Sequence, residues 1–255
     1  MKRAFGLDQP IPVQYASWVT AFAQGEWGYS IRTARPVVQE IAERLPATAL
    51  LGGTAFLVSL LIALPLGVLS ATRRYSGVDY LITFLSFLGI SMPIFWLALM
   101  LQLLFAVQWR VLPSAGLETI GDGSLIDKLR HLILPALILA FASVAGWSRY
   151  MRSSMVEVLS LDYVRTARAK GVSGARVVYR HAFRNALIPV ITVVALDLAS
   201  ILSGAVITET IFAWPGIGKW LIESVARRDY PVLQGGVLLV AAVIMLVNLL
   251  VDLTY

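Results

Sequence analysis

Five apolar runs constrain this chain more than any other feature: Pro46–Ala71, Tyr80–Gln108, His131–Tyr150, Ala186–Ile207 and Val232–Leu253. Each is long enough to cross about 30 Å of hydrocarbon as a helix rising about 1.5 Å per residue. A chain that is 58% hydrophobic and 14% charged, with a mean hydropathy of +0.77, has no ordinary water-soluble fold open to it. The expected fold class is therefore all-α, a polytopic transmembrane helical bundle with five spans. Pro65, Pro93 and Pro135 fall inside the first three runs and are expected to bend them, which membrane helices tolerate where neighbours satisfy the freed carbonyls.

Charge sets the orientation. Between Ser148 and Arg184 lie eight Lys/Arg against the two acids Glu157 and Asp162, a surplus equal to the whole net charge of +6. Positive charge confined to a loop between apolar runs marks the cytoplasmic side, and no nucleic-acid motif accompanies it. Arg73 and Arg74 fall on the same side by alternation, while the loops opposite are balanced in sign. Residues 1–45 are then an external segment, in which Pro36 followed by Val37, Val38, Ile41 and Leu45 reads as a short amphipathic helix. It lies along the membrane surface or packs on the protein's own outer face. An external start without a signal peptide leads to the expectation of a further span before Met1, and the end at Tyr255 reads as cut short.

Within the basic loop, spanning 148–185, two short helices are expected to meet at a corner. Asp162 can cap a helix starting at Tyr163, and Lys170 and Gly171 supply a favourable charge and a left-handed stop. Ser173 can cap a second helix with Val177, Val178 and His181 on one face and Arg176, Arg180 and Arg184 on the other, rejoining the membrane near Asn185.

These residues carry a family resemblance. Arg165-Thr166-Ala167-Arg168-Ala169-Lys170-Gly171 resembles the E-A-A-x-x-x-G signature of ATP-binding-cassette importer permeases, matching at Ala167 and Gly171 and departing at Arg165 and Thr166. The run from Asp162 through Arg180-His181-Ala182-Phe183-Arg184 to Pro189 is similar to the dipeptide/oligopeptide/nickel branch, with the closing proline displaced from its generic place to Pro189. Gly6-Leu7-Asp8-Gln9-Pro10, Glu43-Arg44-Leu45-Pro46-Ala47-Thr48, Glu209-Thr210-Ile211-Phe212, Trp214-Pro215-Gly216-Ile217-Gly218 and Arg228-Asp229-Tyr230-Pro231 extend the likeness, to the first permease subunit of such importers, over nearly the whole chain. The resemblance implies a prokaryotic inner-membrane, multi-pass subunit. It would work with a second homologous permease subunit, two ATPase subunits and an extracytoplasmic substrate-binding protein, and move peptides or a similar solute such as nickel. It further implies that the helix carrying Tyr163, Arg165, Thr166, Ala167, Arg168, Ala169, Lys170, Gly171 and Val172 docks in a cleft of the ATPase.

The other functional classes find little support. No G-x-x-x-x-G-K-[ST] occurs, and Gly216-Ile217-Gly218-Lys219 lacks its spacing, so ATP would be hydrolysed by a partner. With no cysteine, two separated histidines and no G-x-S-x-G or H-E-x-x-H, neither an enzyme nor a metal or cofactor site is expected. A secondary transporter would carry coupling groups in paired broken helices, whereas Asp197 stands almost alone at depth. Asp197 should meet a wet cavity or a donor. Ala195, Ala199 and Ser203 form a small-residue face for helix packing. In the external segment 209–230, Trp214, Pro215, Gly216 and Trp220 are expected to break the chain and present a docking site for the binding protein, with Ile217, Trp220, Leu221 and Val225 as an apolar stripe.

Overall fold

In the computed structural model, residues 9–253 are described, together with all their side chains except those of 199–204, 251 and 252. Ten helices follow in order: α1 Ile11–Ala23, α2 Val37–Thr72, α3 Gly77–Ser91, α4 Ile94–Gln102, α5 Leu125–Leu159, α6 Asp162–Ala169, α7 Gly174–Arg176, α8 Phe183–Ile211, α9 Ile217–Arg227 and α10 Tyr230–Asp252. Among the described residues, four helical stretches are long and apolar enough to cross a membrane: Val37–Thr72, Leu125–Leu159, Gly174–Leu198 and Tyr230–Leu250. α3 and the stretch Ile94–Gln108 make a fifth if counted together, although they meet at 103°.

That break is sharper than a proline bend. Met92 and Pro93 are both extended, and Pro93 opens α4 with no N–H to give back to the preceding turn. The other prolines do not interrupt their helices, because Pro46 and Pro65 lie inside α2, Pro135 inside α5 and Pro189 inside α8. The short helix expected over Pro36–Leu45 is thus the first turns of α2. Val37 and Ile41 are buried against Ile217, Trp220 and Val232, so this stretch packs on the protein's own end rather than on lipid.

α5 is the axis of the bundle, with α2, α8, α3 and α4 packed around it. Its buried face includes Leu132, Leu139, Trp147, Met151 and Met155, which meet Leu51, Ala55 and Ala63 of α2 and Ala186 and Val190 of α8. α2 and α5 cross at Gly67, where a Cβ would come within 2.7 Å of the Ser148 carbonyl oxygen. Close approach of this kind substitutes for a hydrophobic driving force between helices in lipid. The bundle has a basic end, carrying α6, and an opposite end, carrying α1, α9 and the first turns of α2.

Candidate functional site

α6 stands out from the basic end. It hangs from the body by Val164, which is fully buried, while Tyr163, Arg165, Thr166, Arg168, Ala169 and Lys170 are exposed and Ala167 is half-buried. The Tyr163 hydroxyl donates to the His181 carbonyl at 3.2 Å and accepts from Asn185 Nδ2 at 2.7 Å, which ties the start of α6 to the start of α8. The end of α6 is closed by two backbone bonds: Val172 N–H to the Ala167 carbonyl (3.2 Å) and Gly171 N–H to the Arg168 carbonyl (3.0 Å). That pattern requires a left-handed residue after the cap, and Gly171 has φ +77°.

Two details differ from expectation. Leu161 takes the cap position and Asp162 is the first helical residue; its carboxylate pairs with Arg165 at 3.3 Å, and both groups are in solvent. The second helix is not a separate surface piece. From Gly174 the chain passes through a π-helical turn, Val177–Ala182, directly into α8, and Ser173 precedes it without a side-chain cap bond. The wide turn closes with Phe183 N–H on the Val178 carbonyl, burying Val177 and Ala182 while Arg176, Arg180 and Arg184 stay exposed. The result is an exposed basic surface carrying Arg165, Arg168, Lys170, Arg176, Arg180 and Arg184.

The remaining candidates are dispersed. Asp197 accepts a hydrogen bond of 2.9 Å from Trp147 Nε1, and Trp147 is fully buried with its ring edge-on to Phe56. The carboxylate therefore meets a donor inside the bundle. Ala195 lines an apolar groove of about 440 Å³ with Leu60, Leu64, Ile191 and Leu250. The side chains of Ala199 and Ser203 lie outside the described residues. At the opposite end, Trp214, Gly216 and Trp220 are buried and only Pro215 is exposed. Trp214 Nε1 donates to the Ala47 carbonyl (2.8 Å) and Trp220 Nε1 to Glu40 Oε2 (2.7 Å). These three residues shape the end from within, and a partner there would meet Pro215 and the exposed Ile222 and Val225 instead. Val225 thus leaves the expected stripe, which keeps Ile217, Trp220 and the half-buried Leu221.

Reading the sequence missed a set of buried carboxylates. Glu209, wholly buried, accepts from Thr48 Oγ1 at 2.6 Å and from the Lys219 N–H at 3.0 Å, and Thr48 in turn accepts from the Ile217 N–H at 2.8 Å. Gly216 is required because a Cβ there would overlap the Glu209 carboxylate. Asp79, 2% exposed, receives both Arg152 Nε and Nη2 at 2.7 Å, the Tyr75 N–H at 2.9 Å and the Ser70 hydroxyl. Asp229 is also buried and clasps the N-terminal segment through Ser30 Oγ (2.5 Å) and the N–H groups of Ile31 (3.1 Å) and Arg32 (3.4 Å). Asp229→Ala is expected to lower stability by about 1–3 kcal/mol, since the freed hydroxyl of Ser30 keeps its burial and loses its acceptor. Hydrogen–deuterium exchange over 29–33 should speed up selectively; unchanged exchange there would show that the clasp carries no weight. No group of three or more His, Cys, Asp or Glu suited to a metal ion occurs among the described residues.

Comparison with known proteins adds to this geometry. Residues 63–255 match the family described as binding-protein-dependent transport system inner membrane component. The dipeptide transport system permease protein of Escherichia coli K12 is 44% identical over 272 residues, covering 98% of this chain and 80% of that protein. The oligopeptide transport system permease protein of Bacillus subtilis 168 is 45% identical over 253 residues with the same two coverages. The di/tripeptide transport system permease protein of Pseudomonas aeruginosa UCBPP-PA14 is 47% identical over 269 residues, again covering 98% and 80%. A crystal structure of an amino acid ABC transporter with histidines superposes with a TM-score of 0.60 at 14% identity, over 85% of this chain and 93% of that one, a likeness of fold alone.

Proposed function

Because the chain belongs to the binding-protein-dependent transport system inner membrane components, we propose that it is one of two permease subunits lining the path of an ATP-driven peptide importer. It is a multi-pass permease of the inner membrane. Its partners are a second homologous permease, two ATPase subunits and an extracytoplasmic binding protein that delivers the solute. The chain itself performs no chemistry: ATP is hydrolysed by the partners, and the basic end faces the cytoplasm, where they sit.

The observation that carries this reading is the free surface of α6. A short helix pinned at one face by Val164 and at its start by Tyr163, and ended by Gly171, presents small and cationic groups to a docking cleft with an acidic rim. Peptides are the solute class that fits best, since the three relatives above are named for di-, tri- and oligopeptides. Reconstitution of the chain with its cognate partners in liposomes tests this. Uptake of a labelled dipeptide should require both ATP inside and binding protein outside; uptake driven by an ion gradient without ATP would refute it.

A further inference from the structure

We propose that α1 lies in the membrane–water interface at the end opposite α6, with its aromatic face in the lipid headgroup and upper acyl region. None of the 13 residues of α1 is buried by the fold, and none is charged. Its surface is nonetheless two-sided. At 100° per residue Ile11, Tyr15, Trp18 and Phe22 share one face with Val19 at its flank, while the other carries Val13, Ala16, Ser17 and Thr20 and no aromatic ring. Ile11 is 81% and Tyr15 65% exposed, so the apolar face is open rather than folded inward.

The aromatic rings form a ladder that leads back to the bundle. Tyr15 and Trp18 lie 6.0 Å apart, Trp18 and Phe22 5.6 Å, and Phe22 stacks on Trp27 at 4.3 Å. Trp27 packs in the cluster of Val37, Ile41 and Val232, and a Cβ on Gly235 would sit 3.4 Å from its ring. One end of α1 is thus fixed where α2 and α10 leave the apolar zone. The first turns of α10 are themselves exposed at Tyr230 and Val237. Trp and Tyr concentrate at that depth in membrane proteins. A soluble partner that came and went would leave an apolar patch bare in water at each departure, whereas the bilayer covers it at all times. With no Lys or Arg, the helix enters by apolar area and not by attraction to anionic lipid, to a depth of about 5–10 Å. α1 takes the interfacial role that was one of the two readings open to Pro36–Leu45, and the inference needs only that the chain spans a bilayer, not that it imports peptides.

The absence of native cysteine makes the test direct. Spin labels are placed singly through Tyr15→Cys, Val19→Cys, Ser17→Cys and Thr20→Cys in the assembled transporter, held in phosphatidylcholine nanodiscs. Labels at 15 and 19 should collide with oxygen more than with a water-soluble nickel chelate, and labels at 17 and 20 should show the reverse. Adding phosphatidylglycerol should leave the pattern unchanged. Equal chelate access at all four sites would place α1 in water. Shielding from both reagents would place it against the second permease or the binding protein, and a pattern that appears only with anionic lipid would contradict entry by apolar area; each result overturns the proposal. As a second readout that does not rely on labels, lipids brominated high on their acyl chains should quench the wild type more than Trp18→Phe; equal quenching would count against the proposal.

Discussion

Gly171→Arg is expected to abolish peptide uptake and solute-stimulated ATP hydrolysis in the reconstituted transporter, by about 100-fold or more, while leaving the subunit inserted and folded. Among the described residues, a Cβ at Gly171 meets nothing inside 4 Å, so the internal cost that shows is the left-handed backbone at φ +77°, about 1 kcal/mol. A hundredfold loss corresponds to about 2.7 kcal/mol. The excess over the backbone cost must arise at a partner that approaches the end of α6 closely. Gly171→Asn separates the two contributions, since Asn tolerates the left-handed region and is smaller; it should retain more activity than Arg. Arg165→Ala and Arg168→Ala should each cost under about 1 kcal/mol, because exposed ion pairs are screened. Co-purification of the ATPase subunits, ATPase rate and uptake are measured for each. Normal uptake by Gly171→Arg would remove α6 as the docking surface.

Arg152→Ala is expected to be the most destabilising single truncation at the basic end, by about 3–5 kcal/mol. It would strand the Asp79 carboxylate, 2% exposed, with only the Ser70 hydroxyl and the Tyr75 N–H as donors. The bidentate geometry at 2.7 Å on both oxygens makes this pair the joint between α3 and α5. The double variant Asp79→Leu, Arg152→Met should recover most of the loss, because removing both charges removes the stranded one. Thermal unfolding of the assembled transporter in nanodiscs reads both. A single variant as stable as the wild type would show that Asp79 finds other donors, and a double variant no better than the single would assign the loss to packing.

The spans were legible because length and apolarity alone identify them in lipid, and α6 was legible because its stop, Lys170-Gly171, is a local backbone requirement. What stayed hidden was decided at long range. Pro46 reads locally as a boundary, yet α2 runs through it because Glu40 is held by Trp220 and Val37 and Ile41 are buried against α9 and α10. Pro93 marked a bend but not its 103°. Glu209 and Thr48 are 161 residues apart and Asp79 and Arg152 are 73 apart, so neither pairing has a spacing to recognise. α1 has no charge alternation and no proline-bounded apolar run of spanning length, and it passed as part of a mixed segment.

The continuity of α7, the π-helical turn and α8 has a mechanical meaning. From Gly174 to Ile211 the chain forms one rod of roughly 55 Å at about 1.5 Å per residue. Its near end follows closely on α6 and its far end carries Glu209, whose carboxylate organises the turn into α9. Between them the rod is braced on α5 at two points, Ser154 Oγ to the Ala186 carbonyl at 2.8 Å and Trp147 to Asp197. The two braces lie near the middle of the rod, which leaves arms of nearly equal length on either side of them. A tilt of about 10° about that middle would carry both tips through about 5 Å in opposite senses, so whatever moves the basic end would move the turn at Glu209 by a like amount.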